Sequence, residues 1–111
     1  MAPLDEARDR NLLFEAALEF GPDWRRPVGE LAAERLPHLE SDEIRSLSEE
    51  ISTARTAIES WIANRCLDVG LNWSPSDHED AKRYISANYP WMTSPNVTRA
   101  VSQGMYYVWH G

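Results

Sequence analysis

The chain is short of several things, and each shortage removes a class of explanation. A single cysteine, Cys66, stands among 111 residues. No disulfide can form within the chain, which suits a reducing compartment. The five glycines, at 21, 29, 70, 104 and 111, are isolated, so no glycine-rich loop is present to cradle a phosphate. His38, His78 and His110 are the only histidines, and no two are spaced i,i+3 or i,i+4. That excludes an HExxH zinc helix. No apolar run approaches the ~20 residues that span a bilayer. The opening MAPLDEARDR is charged and lacks the apolar core of a secretory signal. The expectation is a cytoplasmic protein without a membrane anchor. Lysine is almost missing too, with Lys82 alone against ten arginines.

Positive charge is the scarcer sign. The 18 acidic and 11 basic residues give a formal net charge of -7. Nucleic acids and anionic membranes are bound mainly through basic patches, so neither is an expected partner. An acidic protein is instead steered toward a basic one, although moderate negative charge also serves solubility alone. The charge is uneven. Residues 1–40 carry nine acids and five bases, residues 41–70 six and three, and residues 71–111 three of each. That neutral last third holds seven of the 11 aromatic residues.

What is present is helical pattern. Ile44, Leu47, Ile51, Ala54, Ile58 and Trp61 fall at steps of three, four, three, four and three. This is a seam repeating about every 3.5 residues, widened by Ala57 and Ile62. Ser41 is placed as N-cap, Asp42 and Glu43 suit the positive end of the helix dipole, and Gly70 suits its left-handed stop. Residues 42–69 read as a central helix roughly 42 Å long. Four shorter helices surround it in sequence. The first spans Leu4–Phe20, with Asp5 as cap and Gly21-Pro22 as stop. The second spans Val28–Leu36 behind Pro27. Ser74-Pro75 opens the fourth, which Pro90 ends, and Ser94-Pro95 opens the fifth, to Trp109. Gly104 inside that helix marks either a close crossing or a bend. The expected fold is all-α, a single-domain bundle (1–111) of about five helices around the long central one.

Chemistry is sparse. Asp77-His78-Glu79-Asp80 resembles a ligand cluster, but consecutive helical residues point in different directions, so capping is the better reading. Cys66 reads as a small buried hydrophobe. There is no GxSxG elbow and no paired Glu-x-x-His. Neither a cofactor, a metal site nor a catalytic set is expected, and an enzyme would need a site assembled from separate helices. Tyr106, Tyr107 and Trp109 cannot all share the Val97-Val101-Met105-Val108 side, because adjacent positions lie ~100° apart. At least one should reach the surface or be covered by a partner.

The leading expectation is therefore a protein that acts by binding another protein, a basic one on the charge argument. Asp42, Glu43, Glu49 and Glu50 would steer the encounter, and Trp91, Tyr106, Tyr107 or Trp109 would anchor it. In size, acidity and helix content the chain is similar to immunity proteins and antitoxins that plug basic catalytic clefts, a likeness of class without a shared motif. The alternative is a self-associating subunit, a homodimer formed through the heptad seam.

Overall fold

Prolines, and the polar residues beside them, set where the helices begin and end. The computed structural model of the chain describes residues 3–18 and 27–110, with side chains at 7–18 and 27–109. Among these lie five helices and no strand: α1 (Pro3–Leu18), α2 (Val28–Arg35), α3 (Ser41–Val69), α4 (Pro75–Asn88) and α5 (Ser94–His110). The fold is all-α with a long α3, and Met105–Trp109 is helical despite its β-favouring residues. No helix among the described residues is long and apolar enough to cross a membrane. Phe20, the Gly21-Pro22 stop and the Trp24-Arg25-Arg26 loop lie outside the described residues.

Several starts differ from expectation by a residue or two. Pro3 occupies the first turn of α1, which its fixed φ favours, so Asp5 sits inside the helix and not at its cap. Pro27 is the N-cap of α2, its carbonyl accepting from Glu30 and Leu31 N–H at 3.0 and 3.3 Å. α3 includes Ser41, and the cap position falls to Glu40. The Glu40 N–H donates to Glu43 Oε1 at 2.9 Å, while the Glu40 carbonyl accepts from Ile44. Glu43 thus supplies the return half of a capping box. In α5 the Thr93 carbonyl accepts from Val97 at 2.9 Å, which puts Ser94 inside the helix. α4 follows its sequence signature: Ser74 and Asp77 form a reciprocal capping box with Pro75 in the first turn. Gly70, at φ 86°, ends α3 and donates its N–H to the Cys66 carbonyl at 2.8 Å.

The chain forms two compact units, Met1–Thr53 and Ala54–Gly111, with the boundary inside α3. In the first, α1 packs on α2. Its buried side chains among the described residues are Leu13, Phe14, Ala16, Ala17 and Leu18 on α1, Val28, Leu31, Ala32 and Leu36 around α2, and Ile51. In the second, α4 packs on α5. Ala54, Ile58, Ile62 and Cys66 are buried with Ala81, Ile85, Val97, Ala100 and Val101. The buried row of α3 runs Ile51, Ala54, Ile58, Ile62, Cys66, in steps of three, four, four and four. A straight helix turns every 3.6 residues, so a 3.5-residue seam drifts off any fixed face. Trp61 is accordingly half-buried and Ile62 takes the core position; Ile44 and Leu47, at the other end, are also only half-buried.

Candidate functional site

In Met1–Thr53 the surplus of carboxylates gathers around one concavity. A groove of about 340 Å³ is lined by Asp9 and Arg10 of α1, Leu39 of the α2–α3 turn, and Asp42, Glu43, Ser46, Leu47 and Glu50 of α3. Residues 43, 46, 47 and 50 share a helix face through their three- and four-residue spacing. Three of the four acidic residues expected to steer a partner, Asp42, Glu43 and Glu50, are thus brought together. The fourth, Glu49, is exposed but does not line the groove.

The groove's polar groups are already ordered. Arg10 Nε donates to Glu50 Oε2 at 2.6 Å, which holds Glu50 half-buried and not on a solvated outer face. His38 Nε2 lies 3.1 Å from Asp9 Oδ2. Glu43 is fixed by its bond to the Glu40 N–H. Asp42 stands exposed, with Arg45 at 3.9 Å. Four carboxylates therefore face one guanidinium along the lining, beside the aliphatic Leu39 and Leu47. An apolar stem with a cationic head matches this combination. Asp9, Arg10, Leu39 and Leu47 were not among the residues expected here. His38's approach to Asp9 joins positions 29 residues apart, which no local spacing rule detects.

The aromatic candidates lie in Ala54–Gly111 and divide by exposure. Trp109 is 57% exposed and Tyr106 37%, while Tyr107 is half-buried with its ring edge-on to Tyr106 at 5.8 Å. Trp91 is half-buried and stands edge-on to Tyr89 at 6.2 Å. Burial pushes the Tyr89 phenol up, and Met92 beside it is buried. Leu67, Val69 and Leu71 form a second exposed apolar set around the Gly70 turn.

A further cluster, built on Arg65, joins α3 to the start of α4. Its guanidinium donates to Asp77 Oδ1 and Asp80 Oδ2, both at 3.0 Å, and lies 4.9 Å from the centre of the Trp61 ring. Trp61 stacks on Tyr84 at 5.3 Å and meets Trp73 edge-on at 6.4 Å; Trp73 meets His78 at 5.3 Å. Later residues of α4 meet earlier residues of α3, so the two helices run antiparallel. The Ser74 N–H, then Arg65, holds the Asp77 carboxyl below the usual carboxylate range. Arg65, then Arg83, does the same for Asp80. An aromatic face can hold a cation, and here the chain's own arginine lies over that of Trp61. Asp77-His78-Glu79-Asp80 therefore works as cap and clamp. Among the described residues no three His, Cys, Asp or Glu side chains converge as a metal site requires.

Cys66 is 8% exposed, its Sγ 3.9 Å from Met105 Sδ. Burial pushes its thiol up, against the Trp73 indole N–H, which acts in the opposite direction. A thiol held in that state is a poor nucleophile. Comparison of the chain with protein-family models, with characterised proteins and with solved structures finds no match.

Proposed function

We propose that this protein acts by binding a basic protein, and that the groove between Asp9 and Glu50 receives an arginine or lysine side chain of that partner. The observation that carries this reading is the convergence of Asp9, Asp42, Glu43 and Glu50 on one concavity beside Leu39 and Leu47. Aliphatic side chains favour the methylene stem, and carboxylates favour the charged head. Arg10 on Glu50 is an example of the same pairing within the chain. The net charge of -7 adds long-range attraction that raises the encounter rate. The finer reading is an inhibitor of the immunity or antitoxin type, whose target is the basic cleft of an enzyme.

The test separates the groove from overall charge. Association with an immobilised oligo-arginine peptide is measured for the wild type, for the double variant Asp42→Asn/Glu43→Gln, and for Glu49→Gln. The double variant should slow association and flatten its salt dependence, whereas Glu49→Gln, which also removes a negative charge, should change little. Equal weakening per charge removed would leave only non-specific attraction and sink the groove. Affinity capture from the source cell at low salt, with release at high salt, then identifies the native partner.

A further inference from the structure

The groove shares one of its carboxylates with the only histidine of its unit. Met1–Thr53 contains His38 alone, since His78 and His110 belong to Ala54–Gly111. His38 stands in the turn between α2 and α3, directly before Leu39, and its Nε2 lies 3.1 Å from Asp9 Oδ2 of α1. Asp9 is the most enclosed carboxylate of the lining. Its side chain is 15% exposed, against 40% for Glu50 and 94% for Asp42, and Glu43 is exposed. A charge so enclosed is screened less by salt than one in open solvent.

We infer that His38 makes this groove pH-sensitive: protonated, it sits on Asp9 as an internal cation and competes with the partner's arginine or lysine; neutral, it leaves that carboxylate to the partner. The inference rests on the groove's proposed role as a receiver of a cation. Histidine is the side chain whose charge changes between about pH 5 and 8. Among the described residues, the other charged groups around His38 are Asp9 and Arg10 on α1, Arg35 at the end of α2, Glu40 in the same turn, and Asp42, Glu43 and Glu50 on α3. Carboxylates and guanidinium groups hold their charge across that range, so the swing falls to His38. The lining has four carboxylates and one guanidinium, a net -3, which a protonated His38 reduces to -2. Arg10 on Glu50 is a fixed cation by comparison, because guanidinium keeps its proton. Acidification therefore weakens binding of a basic partner, and return to neutral pH restores it.

Calorimetric binding of the full chain to a capped oligo-arginine peptide, at low salt and at about pH 5.5 and 7.5, tests this. The wild type should bind about three- to fivefold more weakly at the lower pH, the effect of one ion pair near the surface. His38→Gln keeps a hydrogen-bond donor without the charge and should bind tightly at both pH values. His38→Lys keeps the charge and should bind weakly at both. His38 is exposed, so both variants should retain wild-type helix content by circular dichroism. By reciprocity the wild type should release part of a proton on binding near neutral pH, seen as a heat that varies with the buffer, and neither variant should. His78→Gln, in the other unit, should keep the full pH effect. Wild-type affinity equal at the two pH values, with Asp42→Asn/Glu43→Gln still weakening it, would overturn the role of His38 and leave the groove standing. Affinity unchanged in that double variant would remove the groove and the role of His38 together. A pH effect that survives in His38→Gln would assign it to another group and overturn the inference.

Discussion

Met1–Thr53 carries three aromatic residues and a net charge of -7, while Ala54–Gly111 carries eight aromatics and no net charge. The same residue types do different work in the two units. In the second unit Asp77 and Asp80 face Arg65, with Arg83 also on Asp80 and Lys82 3.8 Å from Glu79. Its charges are balanced internally and join α3 to α4. In the first unit Arg10 meets Glu50, His38 lies beside Asp9 and Arg45 stands 3.9 Å from Asp42. Four of its carboxylates, Asp9, Asp42, Glu43 and Glu50, line one groove. Charge therefore ties helices together in the second unit and gathers as carboxylates lining a groove in the first.

The largest effects should come from what the units share, a continuous buried row on α3. Ile51→Ala in the first unit and Ile58→Ala in the second, at 0% and 1% exposure, should each cost about 2–5 kcal/mol in denaturant unfolding. A cost at one site below a fifth of the other would mean that only one unit has a formed core. Next is Gly70→Ala. Its φ of 86° is left-handed, so the change should cost about 1–2 kcal/mol although the Cβ would meet nothing within 4 Å. Gly104→Ala should cost less, because ~1 kcal/mol of gained helix propensity opposes the overlap of the new methyl with Ile62 Cδ1. A clear stabilisation at Gly104 would show that Ile62 moves aside freely.

A smaller effect sharpens the electrostatic contrast. Asp77 and Asp80 titrate below the usual range in the folded chain. Between those values and about pH 3.9 the unfolded chain binds more protons, so their stabilisation is complete above that pH and is lost as acidification passes through the lowered values. Arg65→Met should shrink this loss. By NMR titration it should raise Asp80 more than Asp77, since Arg65 is the main cause at Asp80 and the Ser74 N–H at Asp77. An equal rise at both would contradict that division. Smallest is Glu49→Ala, exposed and outside the groove, at under ~0.5 kcal/mol by thermal unfolding.

Much of the fold is legible because helix signals are local. Ser74-Pro75 with Asp77, Gly70 after Val69, and the apolar spacing of α3 each act within a few residues. The candidate site is legible only in part. Asp42, Glu43 and Glu50 are readable as acidic positions on one helix, yet their meeting with Asp9 and Leu39 depends on how α1 and the α2–α3 turn lie against α3. Arg65 gives no hint of its role, because its partners are 12 and 15 residues away, on another helix. Gly104 is ambiguous until Ile62 is seen against it.

The sequence by itself determined the five helices, the stops at Gly70 and Pro90, and the uneven distribution of charge and aromatic residues, since these depend on near neighbours and composition. Only the tertiary structure decided which carboxylates share a groove, which arginine is enclosed and which aromatic residues reach solvent. Those outcomes depend on contacts between helices far apart in the chain, where side-chain shape and charge act through space.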